Sequence, residues 1–162
     1  MPRLKMAGAI IAALLLMTGT RGAEAVVINV NAQLHCDFPN NPLTVPLAQG
    51  TYSATLIPGT YSAWRYASPS VGGTWNTLYY LRVVGGTEYT GGDWLAAGTA
   101  LDAFNQTVVK TLVFTQPANG DIKLLVADNK CTDNSGGVSL EIILMPLPAA
   151  TSTWGKVKAL YR

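Results

Sequence analysis

Short runs of alternating apolar and polar residues, each closed by glycine, proline or asparagine, recur from residue 26 to residue 144 and constrain this chain to antiparallel sheet. Residues 26–33 put Ile28, Val30 and Ala32 on one face. Residues 43–47 are short and extended, and residues 50–57 alternate until Pro58-Gly59 stops them. Residues 77–84, rich in Tyr and Leu, form another such run. Residues 107–115 and 122–127 flank Pro117-Ala118-Asn119-Gly120, where Asn-Gly is a strong hairpin signal. Residues 138–144 close the series, and residues 35–42, 60–64, 68–76 and 85–92 read as loops and turns. Only residues 94–104, with Leu95, Ala96, Ala97, Ala100, Leu101 and Phe104 near helical spacing, predict a brief helix. About eight short strands and almost no helix predict an all-β fold, an antiparallel β-sandwich or jelly roll, in one domain over residues 26–145.

The two ends of the chain read differently. Arg3 and Lys5, an apolar run over residues 6–17 and then Ala23-Glu24-Ala25 have the pattern of a secretory signal peptide over residues 1–25. The apolar run is shorter than the ~20 residues that a membrane-spanning helix needs. Residues 146–162 begin as a Pro/Ala/Thr linker and end in a segment that puts Trp154, Val157, Leu160 and Tyr161 on one helical face. So short a helix needs a partner, which predicts self-assembly or attachment to another molecule, the alternatives being a tail docked on its own domain or simply disordered.

The formal charge of +2 for the whole chain belongs largely to the signal peptide, since acidic and basic residues balance after residue 25. That excludes the basic surface a nucleic-acid binder requires. Export also changes how the two cysteines, Cys36 and Cys131, are read. Outside the cytoplasm a disulfide is expected, joining the first strand region to a late loop, with two separate buried thiols as the alternative. A disulfide would also bring Asp37 beside that loop.

The loop is Asp128-Asn129-Lys130-Cys131-Thr132-Asp133-Asn134-Ser135-Gly136-Gly137, set between two strands. Carboxylate and amide oxygens crowd together in it, and its glycines let the backbone curl so that they converge. Hard oxygens of this kind suit calcium, which takes six to eight of them. A polar turn is the alternative reading, because the same residue types turn chains for local reasons. The EF-hand spacing is absent.

The pattern Asp128…Asp133-Asn134-Ser135-Gly136-Gly137-Val138-Ser139-Leu140 resembles the last-hairpin loop of the galactophilic, calcium-dependent bacterial lectins of the PA-IL type. It is also similar to the end of a galactose-binding-like domain in exported bacterial proteins with PEP-CTERM tails. The resemblance implies calcium held by Asp128, Asp133 and Asn134, with sugar hydroxyls completing its coordination. A similar Gly-Thr-Tyr turn, here Gly59-Thr60-Tyr61-Ser62-Ala63-Trp64, implies a main-chain carbonyl ligand, placed at Ala63. The segment between Asp128 and Asp133 is shorter than in the lectins, and Lys130 stands where a carbonyl donor is expected. The tail resembles short Thr-Trp-Gly-x-Val-Lys-x-Leu-Tyr-Arg sorting or attachment tags of other exported proteins.

Catalytic signatures are missing. His35 is the only histidine, and there is no Gly-x-Ser-x-Gly elbow, His-Glu-x-x-His, Cys-x-x-Cys or phosphate-cradling glycine loop. The expectation is therefore no enzyme. Of the aromatic residues that could stack on a sugar, Trp64 and Trp75, flanked by loop residues, are expected to be exposed, with Trp64 and Asp37 as ligand-binding candidates. Two functions remain: a secreted or cell-surface calcium-stabilised lectin-like module, or an extracellular structural protein in which calcium and a disulfide only stiffen the fold.

Overall fold

The computed structural model describes residues 25–36, 40–66, 74–94, 97–128 and 130–146. Residues 1–24 of the expected signal peptide, Asp37, Asn129 and the tail from residue 147 lie outside the described residues. In chain order the elements are β1 (Ala25–Asn31), β2 (Leu43–Leu47), β3 (Gly50–Leu56), β4 (Trp64–Tyr66), β5 (Trp75–Asn76), β6 (Tyr79–Arg82) and β7 (Glu88–Gly91). They are followed by α1 (Ala100–Thr107), β8 (Thr111–Gln116), β9 (Gly120–Val126), a single 3₁₀ turn at Cys131–Asp133, and β10 (Asn134–Leu144).

Two antiparallel sheets face each other. One has six strands in the order β5-β4-β10-β3-β8 with β1 also paired to β10, and the other has four in the order β2-β9-β6-β7. The all-β sandwich is therefore the fold. β10 is its spine: one edge pairs with β1 from Gly137 to Ile143, and the other pairs first with β4 and then with β3. Its period of two turns Val138, Leu140 and Ile142 inward, where they meet Ile28 and Val30 of β1 and Ala54 and Leu56 of β3. From the second sheet Leu81, Ile122, Leu124 and Val126 complete the core. Each large apolar side chain fully removed from water contributes about 1.5–3 kcal/mol, which makes this interface the main source of stability.

The structure departs from the periodicity in five places, one of them β5, which pairs with β4 inside a stretch expected as loop. Residues 64–66 are a strand rather than part of a turn, because their backbone pairs with the start of β10. Residues 88–91, expected as a turn, pair with β6. The helix begins at Ala100 instead of residue 94, since Thr99 caps it: its Oγ1 accepts from the Asp102 N–H at 3.1 Å and donates to Asp102 Oδ2 at 2.7 Å. It runs to Thr107, whose hydroxyl donates back to the Ala103 carbonyl at 2.9 Å, and this delays the following strand to Thr111. Finally, β10 starts at Asn134 and not at residue 138, so the last strand begins inside the Asp/Asn loop.

Candidate functional site

The loop that follows β9 is fastened at both ends. On the entry side Val126 N–H donates to the His35 carbonyl at 3.0 Å and Ala127 N–H to the Leu78 carbonyl at 3.3 Å. In its middle, Cys131 is bonded to Cys36 across a sequence separation of 95. Two separate thiols are thereby excluded. On the exit side Asn134 enters the sheet opposite Tyr66, and Gly136 opposite Trp64.

Three side-chain oxygens of this loop are buried and accept no hydrogen bond: Asp128 Oδ2, Asp133 Oδ1 and Asn134 Oδ1. They are the only buried side-chain N or O atoms in that condition among the described residues. Local chemistry explains how each is held. Asn134 is 1% exposed, and its Nδ2 donates to the Ala32 carbonyl at 3.3 Å, which turns Oδ1 the other way. Asp133 gives Oδ2 to the exposed Lys130 ammonium at 3.0 Å, and Oδ1 stays inside. Asp128 donates its own N–H to the Val126 carbonyl at 3.0 Å, is engaged elsewhere as well, and keeps Oδ2 buried. A buried acceptor left unmade costs about 1–3 kcal/mol, and more when it is charged.

The bend before β4 comes against the same loop. Ala63 is buried, and its carbonyl accepts from the Gly137 N–H at 3.1 Å, which leaves the second lone pair of that oxygen. Gly136 has φ +80°, and a Cβ there would lie 2.4 Å from the Ala63 oxygen. Only glycine allows so close an approach in that conformation. The structure thus brings Asp128, Asp133, Asn134 and the residue 63 carbonyl to one end of the sandwich. Among the described residues no three His, Cys, Asp or Glu side chains gather. The available donors are two carboxylates, an amide oxygen and main-chain carbonyls. That set contains only hard oxygens, and it fits calcium better than zinc or copper.

The aromatic expectations need correction. Trp64 is fully buried rather than exposed, with its Nε1–H donating to the Leu78 carbonyl at 2.9 Å, so its ring belongs to the core and cannot stack on a ligand. Joining the sheet as β4 is what turned it inward. Trp75 is half-buried under the Arg65 guanidinium, 5.1 Å from the ring centroid. Among the described residues the exposed indole is Trp94, 57% accessible, which lies against Tyr66 with centroids 5.7 Å apart and planes 18° from parallel. The signal that would have found it is Gly91-Gly92 directly upstream and the helix cap at Thr99 downstream, which together place Trp94 in a loop. Among the described residues no helix is long and apolar enough to cross a membrane.

The chain matches no protein-family model and no curated protein sequence. Among solved structures it is similar to the N-terminal domain of EclA, a PllA-like lectin, with a TM-score of 0.45 and 17% identity over 74% of this chain and 95% of that domain. At that identity the similarity says nothing of which residues bind a ligand.

Proposed function

We propose that this chain is an exported, non-enzymatic, calcium-dependent carbohydrate-binding module of the PA-IL-like kind. The observation that carries the reading is the set of three buried oxygens without hydrogen-bond donors, Asp128 Oδ2, Asp133 Oδ1 and Asn134 Oδ1, in one disulfide-anchored loop. A divalent ion offsets the cost of burying them, and calcium is the ion whose chemistry matches carboxylate, amide and carbonyl oxygens together. Asp128, Asp133 and Asn134 would hold it by their side chains, with a main-chain carbonyl at or near Ala63. Calcium bound there would supply open coordination positions for vicinal sugar hydroxyls. Export agrees with the signal-peptide pattern and with a disulfide, which persists in oxidising compartments.

The test has two readouts. Melting in millimolar calcium against chelator should show the calcium form higher by about 5–10 °C, as expected for a ligand at roughly a hundred times its Kd on a domain of this size. Replacing Asp133 by Ala should remove that difference. A glycan array in calcium should then retain sugars that chelator releases. Equal melting in both conditions overturns the metal site. A calcium-dependent melting shift with no sugar retained leaves the structural reading, in which the ion only stiffens the loop.

A further inference from the structure

Trp94 is an exposed indole presented by a fixed loop. The residue before it, Asp93, is held three ways: its N–H donates to Thr77 Oγ1 at 3.0 Å, its carbonyl accepts from the Thr77 N–H at 3.1 Å, and its carboxylate pairs with the Lys110 ammonium. The ring itself is backed by Tyr66, nearly parallel at 5.7 Å, and meets the edge of the buried Trp64 at 6.0 Å and 68°. Although Tyr66 stacks against the indole, 57% of Trp94 stays accessible, which leaves a large apolar face on the protein surface. Exposing that face has a cost, since burying an aromatic ring is among the larger single gains a side chain can make.

Its position gives the ring a purpose. Tyr66 is the direct cross-strand partner of Asn134, and directly opposed residues project to the same face of a sheet. The stack of Tyr66 and Trp94 therefore rises on the same side as the Asn134 amide, whose Oδ1 is one of the three buried oxygens. The register thus sets the aromatic stack and the first residue of the oxygen-rich strand on one face of the sheet. A pyranose presents both complements, hydroxyl groups on its edge and a patch of C–H bonds on its face.

We infer that Trp94, backed by Tyr66, is the carbohydrate-stacking residue of the site and receives the C–H face of a pyranoside whose hydroxyls meet the Asp133–Asn134 loop. The inference rests on the function proposed above and adds a specificity element to it. Sugars whose ring face carries an uninterrupted run of C–H bonds are favoured over those with an axial hydroxyl breaking that run on the stacked side.

The experiment compares the full chain with Trp94→Ala and Trp94→Phe, using glycans the unmodified chain retains in calcium. Affinity should fall about tenfold in the alanine variant and only a few-fold in the phenylalanine variant, the range expected for losing or shrinking one aromatic stack. The melting shift between calcium and chelator should stay the same in all three, because Trp94 supplies no oxygen to the ion. Indole fluorescence should change on adding sugar in the unmodified chain and lose that change in Trp94→Ala. Undiminished affinity of Trp94→Ala overturns the role of Trp94 and leaves the carbohydrate reading intact. Failure of the unmodified chain to retain any glycan overturns both. Loss of the calcium shift in both variants also overturns the inference, since it makes Trp94 a structural support of the loop.

Discussion

Two buried side-chain amides sit at opposite ends of β9, and they are treated differently. Gln116, at the hairpin end, has no accessible surface and uses both of its ends: Nε2 donates to the Gly120 carbonyl at 3.0 Å, and Oε1 accepts from the Val84 N–H at 3.1 Å. Asn134, at the loop end, is just as buried, yet only its Nδ2 is used. The same fold satisfies one amide entirely and leaves the other with an idle acceptor beside two idle carboxylate oxygens. Loose packing would scatter such defects. Their concentration in one loop, with Gln116 as an internal control, is what the proposed cation site would account for.

The contrast can be attacked from its strongest support downward. Reducing the disulfide, or replacing Cys36 and Cys131 by Ser, frees the loop end and leaves the hairpin end untouched. With a separation of 95 residues the chain-entropy model gives a loss of about 4–5 kcal/mol, measurable by urea unfolding, and the calcium response should weaken with it. Next is Gln116→Leu, which strands the Val84 N–H and the Gly120 carbonyl. It should cost about 2–3 kcal/mol, equally in calcium and in chelator. The matching change at the other end, Asn134→Leu, removes an oxygen that had no donor. In chelator it should cost only about 1 kcal/mol, while erasing most of the calcium-dependent stabilisation. If Asn134→Leu and Gln116→Leu respond alike to calcium, the two ends are not different in kind. The smallest expected effect belongs to Lys130→Ala. Its ion pair with Asp133 is solvent-exposed on the lysine side, so unfolding in chelator should change by less than about 1 kcal/mol. Removing the positive charge beside Asp133 should tighten calcium binding a few-fold in a direct titration.

Much of this contrast was legible in the residues. Asn119-Gly120 announced the hairpin, and Asp128, Asp133 and Asn134 stood out as candidate oxygen donors, although a polar turn would use the same residue types. Cys36 and Cys131 were expected to pair from compartment and count, and they do. What stayed hidden has a common cause. β4, β5 and β7 are two to four residues long, too short for a period of two to register, and they exist as strands only because a partner lies alongside. The exchange of roles between Trp64 and Trp94 follows from the same source. Whether an indole among loop residues is core or surface depends on whether its backbone is taken into a sheet. Trp64 is taken in and Trp94 is not. The partner of Asn134 Nδ2, the Ala32 carbonyl, is likewise invisible to any reading that works along the chain, since the two are separated by 102 residues.

That β10 carries Asn134 as its first residue ties the proposed site to the architecture. Asn134 is buried as Val138, Leu140 and Ile142 are, while its neighbour Ser135 meets Arg65 at 3.3 Å. A slip of one position along this strand would turn the core outward and swap an amide for a hydroxyl at the binding end in the same movement. An insertion or deletion of one residue between positions 134 and 138 would then disturb the loop and the sandwich together. On the function proposed above, variation in what is bound would be left to the side chains that approach from elsewhere, Trp94 foremost among them.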